Sequence, residues 1–157
     1  MQNLSIPSEK EALNKAAALC SRKECCESEV REKLTLWKQP SEVQDRIIGK
    51  LLAEGYIDEV RFCKAYAMDK LRYNHWGRIK INQMLRHLQV DDQAREAALE
   101  ALPDEEYMDI LRRVAQSKLP SIKARTAYER QGKLTRFLLS RGFEMDFIRE
   151  VTNWDED

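Results

Sequence analysis

Leu34, Leu85 and Leu138 recur at a spacing of about fifty residues, and the recurrence extends to their surroundings. Nine residues beyond each lie Val43, Ala94 and Phe147; thirteen residues beyond lie Ile47, Ala98 and Val151, so all of these positions are apolar. In a chain of 157 residues such a period leaves room for three copies. A segment of this length holds three short helices, and units in series bury their apolar faces mainly against their neighbours. The expected fold is all-α: three tandem three-helix units in an elongated, curved array, with a compact sphere as the losing alternative.

Local signals place the helices. Ser8 is a candidate N-cap for a helix over residues 10–22 whose stripe is Leu13, Ala16, Ala17 and Cys20, because a serine oxygen accepts from a free first-turn amide. A second helix covers 28–37 through Val30, Leu34 and Trp37, and Pro40 breaks the chain before Ser41 caps a third that runs to Glu54. Gly55 sits where a helix commonly ends in a left-handed residue, and Asp58 caps a fourth helix from about Glu59 to Tyr73. After the connection Asn74-His75-Trp76-Gly77, a fifth helix follows Ile81, Met84, Leu85 and Leu88, and Asp91 or Asp92 caps a sixth with Ala94, Ala97, Ala98 and Leu102. Asp104 caps a seventh through Tyr107, Leu111, Val114 and Ala115. The eighth spans about Lys123 to Ser140 and stops at Gly142, and the ninth, Glu144 to Trp154, carries Phe147, Ile148, Val151 and Trp154. These limits give an N-terminal tail at 1–8, units at 9–55, 56–103 and 104–154, and an acidic tail at 155–157.

With 34% charged residues, five glycines and four prolines, the composition suits a soluble helical protein. No run of 18 apolar residues marks a membrane span, and residues 1–10 lack the basic-then-apolar order of a secretory leader. A cytoplasmic monomer is expected. Cys20, Cys25, Cys26 and Cys63 do not form the paired spacing of a zinc site, and an adjacent pair makes poor ligand geometry. Buried thiols are expected, with no metal and no cofactor. Catalysis finds no support: His75 and His87 fall in a different unit from Cys25 and Cys26, and no glycine-rich phosphate loop is present.

The 27 basic and 27 acidic residues cancel, so attraction to a polyanion must come from local clustering. Lys118, Lys123, Arg125, Arg130, Lys133, Arg136 and Arg141 share a stretch whose one acid is Glu129, whereas 91–109 is dominated by acids such as Asp92, Glu96, Glu100, Asp104, Glu105 and Glu106. At helical spacing Arg125, Glu129, Lys133 and Arg136 project to one side of the eighth helix, opposite Leu134 and Leu138. Lys123, Arg125, Arg130, Lys133, Arg136 and Arg141 are therefore candidate contacts to phosphate or to an acidic protein groove. Arg78, Lys80 and Arg86 form a smaller second set, beside which Tyr73 and Trp76 are candidates for stacking on bases. The competing readings are a solvated helix face for the cations and ordinary core packing for the aromatics.

Three stretches are more specific than periodicity: Gly55-Tyr56-Ile57-Asp58 ahead of Arg61-Phe62; Gly77-Arg78 with Lys80-Ile81 and Leu85; and Leu138-Leu139-Ser140-Arg141-Gly142-Phe143 with Ile148-Arg149. On these the chain resembles the RecX regulatory proteins, which modulate the RecA recombinase, from about Ala12 to Val151. Lys38 and Gln89 depart from the family's usual glycine after the second helix of a unit, Glu59 from a common Asp and Cys63 from a common Ala. The resemblance implies three tandem three-helix units and a non-enzymatic protein. It also implies a position in the groove of the RecA filament on single-stranded DNA, with contact to the DNA itself weak or indirect. RecA ATPase, strand exchange and coprotease activity would be modulated there, mainly by inhibition. The alternative is a helical module that binds single- or double-stranded nucleic acid directly.

Overall fold

The computed structural model describes residues 5–152, and all regular structure among them is helical. The helices are α1 (Glu9–Arg22), α2 (Glu27–Leu36), α3 (Ser41–Ala53), α4 (Glu59–Asn74), α5 (Arg78–His87), α6 (Asp92–Glu100), α7 (Asp104–Lys118), α8 (Ala127–Ser140) and α9 (Met145–Thr152), with a 3₁₀ turn at Leu119–Ser121. Trp154, the acidic tail and the first four residues of the N-terminal tail lie outside the described residues. No helix among the described residues is long and apolar enough to cross a membrane.

The caps follow from side-chain chemistry. Ser8 Oγ accepts from the Glu11 amide at 3.1 Å, and Asp58 Oδ1 accepts from the Arg61 amide at 3.0 Å, as expected. Three starts differ from the expected ones in their cap or by more than one residue. Pro40 and Pro103 occupy the cap positions with φ of −62° and −64°, so Ser41 and Asp104 become the first helical residues. The eighth helix begins at Ala127 rather than Lys123, because Thr126 Oγ1 accepts from the Glu129 amide at 3.1 Å while Glu129 Oε2 accepts from the Arg125 amide at 3.2 Å. Lys123 and Arg125 consequently precede the helix.

The repeat extends to the backbone. Four residues beyond the recurring leucines stand Lys38, Gln89 and Gly142, with φ of 58°, 61° and 93°. All three are left-handed, and the residue after each, Gln39, Val90 or Phe143, turns inward and is buried. The two departures from glycine therefore keep the glycine-type turn.

Burial sorts the described residues into two clusters. Ala12, Ala16, Leu34, Ile47, Leu51 and Ile57 belong to a core built by α1–α3 and the turn after them. A second, continuous core runs from Phe62 on α4 to Val151 on α9 and includes Leu71, Ile81, Tyr107, Leu134, Leu138 and Phe143. Tyr107 and Phe143 meet edge to face inside it, with ring centroids 5.6 Å apart. Cys26 alone among the buried residues of α1–α3 and their connections enters this second core. All four cysteines are free and buried.

Candidate functional site

The two basic sets are joined by a helix-end junction. Gly77 N donates to the Arg141 carbonyl at 2.8 Å and Ile79 N donates to the Gly142 carbonyl at 3.0 Å. Free amides at the positive end of α5 thus meet free carbonyls at the negative end of α8, so each helix end satisfies the other. The approach is too close for side chains: a β-carbon on Gly77 would overlap the Gly142 carbonyl, and one on Gly142 would overlap the backbone and Cβ of Lys80. These contacts set the N-terminal turn of α5 against the last turn of α8.

Arg78 does not stand as an open cation there. Its side chain is 19% exposed and pairs with Asp104 at 3.0 Å and Glu144 at 3.4 Å, and its guanidinium lies 4.0 Å from the Tyr107 ring centroid. The Tyr107 hydroxyl accepts from Arg78 N at 3.0 Å and donates to Glu144. Burial first, and the bond to Glu144 second, push the pKa of that hydroxyl up. Arg78 thus ties α5 to α7 and to the start of α9. Lys80 lies over the Trp76 ring at 4.7 Å, and Lys70 lies over the same ring at 5.0 Å. Trp76 is half-buried against the core, whereas Tyr73 is 77% exposed and open to a partner. Arg86 is exposed at the far end of α5, without a carboxylate in ion-pair contact among the described residues.

The cations of the larger basic set separate into three groups. Lys133 Nζ donates to the Lys123 carbonyl at 2.6 Å and pairs with Glu129 at 3.3 Å, so it braces the start of α8. The Arg125 amide first, and Lys133 second, hold the Glu129 carboxyl below the usual range. Arg130 and Arg136 are exposed and, among the described residues, free of ion pairs. Arg136 shares a groove of about 890 Å³ with Tyr128, Met145 and Arg149. Arg141 points to the other side of α8, over the Phe137 ring at 5.2 Å, where Lys118 also lies at 4.7 Å. Two residues that the charge pattern did not single out join it there, His75 and Arg113. Arg113 and Ser117 are one helical turn apart on α7, a spacing that reads equally well as solvated surface. His75 takes the left-handed cap of α4 with φ 56°, a position that only the folded turn identifies.

A family model for the second three-helix domain of RecX matches residues 58–99, and one for the third three-helix domain matches residues 104–152. The Regulatory protein RecX of Vibrio vulnificus (strain CMCP6) is 31% identical over 134 residues, covering 85% of this chain and 86% of that protein. The chain belongs to the RecX family. The Regulatory protein RecX of Vibrio campbellii (strain ATCC BAA-1116) is 28% identical over 158 residues, 99% of this chain and 98% of that one. The crystal structure of RecX from Lactobacillus salivarius superposes with a TM-score of 0.81 at 22% identity, covering 91% of this chain and 93% of that one, a likeness of fold. In this RecX protein the Gly77 and Gly142 junction therefore links the stretch matched as the second domain to the stretch matched as the third.

Proposed function

We propose that this RecX-family chain binds the RecA filament on single-stranded DNA and restrains RecA's ATPase, strand-exchange and coprotease activities. Membership of a family whose relatives are named regulatory proteins carries the reading. Arg130 and Arg136 on α8, exposed and without an ion pair among the described residues, support it, since open cations suit a polyanionic or acidic partner. Lys123 and Arg125 precede that helix, and Arg86 is exposed in the last turn of α5. The protein acts in the cytoplasm as a monomer in this reading, and it acts by binding. Burial pushes the Cys20 and Cys63 thiols up to about 12, which keeps them protonated and unsuited to nucleophilic chemistry.

The test is the rate of ATP hydrolysis by the cognate RecA on single-stranded DNA while this protein is titrated from far below the RecA concentration. A fall at substoichiometric amounts is expected, because one bound regulator affects many filament subunits. A fall that begins only when the protein saturates the DNA would transfer the function to direct nucleic-acid binding. An unchanged rate throughout would overturn the regulatory reading.

A further inference from the structure

We propose that the recess between the α4 cap, α7 and the last turn of α8 binds the phosphodiester backbone of a single nucleic-acid strand. It deepens the reading above, on which it rests for the identity of the ligand as the strand of that filament. The recess has a volume of about 470 Å³ and is lined by His75, Arg113, Ser117, Lys118, Phe137 and Arg141, together with apolar atoms of α7. Among the described residues, no carboxylate lines it. Cations just outside are neutralised: Arg112 pairs with Asp109 at 3.1 Å and Arg72 with Glu106 at 2.7 Å. Inside, neither Arg113, Lys118 nor Arg141 has a carboxylate in ion-pair contact among the described residues.

Most of the lining donors are also free of acceptors among the described residues, apart from Ser121, whose hydroxyl donates to the Lys118 carbonyl at 2.7 Å. Arg141 makes one long bond, 3.4 Å, to the Asn74 carbonyl. The side chains of His75, Arg113, Ser117 and Lys118 donate to no acceptor among the described residues. Three like charges converging on one recess repel one another, so an anion that enters relieves the repulsion and accepts the idle hydrogen bonds together. A phosphodiester supplies one negative charge and two unesterified oxygens per nucleotide. Lys118 and Arg141 already lie on the Phe137 ring, which holds them in position before the ligand arrives and makes the site a backbone contact rather than a base-stacking one. The phosphates of a duplex ride on a stiff rod and meet protruding side chains. A single strand is flexible enough to thread a recess between helices.

The experiment uses the full chain and a fluorescein-labelled oligothymidylate, read by fluorescence anisotropy over a range of salt concentrations. Arg113→Gln combined with Arg141→Gln should weaken binding about tenfold at low salt and flatten the slope of log K against log salt by about 1.4, two phosphate contacts at about 0.7 each. Arg112→Gln, on the same helix but outside the recess, should stay near wild type. Circular dichroism melting checks that the variants are folded. The proposal is overturned by a wild-type protein that does not bind the strand, by a folded double variant that binds like wild type, or by an Arg112→Gln loss as large as the double variant's. Pyrophosphate should displace the strand more strongly than sodium chloride of equal ionic strength, since it addresses the same cations, and equal displacement by the two salts would overturn the recess as a phosphate site. The RecA titration run in parallel separates the two readings. A double variant that loses the strand yet still slows RecA leaves both standing, whereas wild-type protein that binds the strand through the recess but does not slow RecA removes the filament reading alone.

Discussion

Tyr107 is 1% exposed, and its hydroxyl stands between the Arg78 amide and the Glu144 carboxylate. Tyr107→Phe keeps the ring and its contacts but leaves both polar partners short of a bond, at a cost of about 1–3 kcal/mol in urea denaturation. The same residue sets an alkaline limit. Its folded pKa lies above the unfolded value, so the folded state holds the proton more tightly, and stability must fall as pH rises past about 10, where an unfolded tyrosine ionises. That part of the decline should be absent from Tyr107→Phe. Gln89 shows the opposite situation, an ordinary residue in a left-handed turn with φ 61° and an exposed side chain. The left-handed region costs a non-glycine residue about 1–2 kcal/mol, and glycine returns part of that as extra freedom in the unfolded chain. Gln89→Gly should therefore stabilise by about 0.5–1 kcal/mol, seen as a higher denaturation midpoint with an unchanged slope.

At the scale of elements, the junction of α5 with α8 rests on two glycines that allow backbone to touch backbone. Gly142→Ala adds an unfavourable left-handed residue and an overlap with Lys80, and the expected loss is about 3 kcal/mol or more in thermal or urea unfolding. An unchanged midpoint would mean that the two helix ends do not meet as described. Both glycines stand in the sequence as motif residues, but a turn signal alone does not say which other helix lies against it. The helices were legible for a related reason. Ser8, Asp58 and the apolar spacing act within a turn or two, so caps and stripes identify α1 and α4 almost to the residue. The start of α8 was not, because a Thr126 and Glu129 cap competes with an equally good basic run upstream of it. The candidate surface was legible only as charge. Linear order cannot tell that Arg78 is spent on Asp104 and Glu144, or that Arg113, Arg141 and His75 line one recess.

Across the whole molecule, the apolar interior sorts into ten buried residues around α1–α3 and twenty-one spread over α4–α9 and Cys26. The smaller cluster buries about half as many apolar side chains in total and should open at lower free energy. Few ties cross between the two: Glu27 N donates to Glu59 at 3.2 Å, Ser28 Oγ donates to the Leu88 carbonyl at 2.6 Å, and Arg61 meets Glu24 at 2.6 Å. Burial raises the Glu59 pKa, so the charged form is disfavoured in the folded protein and folding stability gains as pH falls and the group protonates, while the bond from Glu27 N opposes that shift. Native-state hydrogen exchange tests the division. Leu51→Ala should lower protection in α1–α3 and leave α4–α9 nearly unchanged. Leu138→Ala, which removes a fully buried side chain from the larger cluster at a cost of about 2–5 kcal/mol, should lower protection in α4 and α5 as much as in α7–α9, although it lies on α8. A chain of three independent units would confine that loss to α7–α9, and such a result would mean that the continuous core does not unfold as one body.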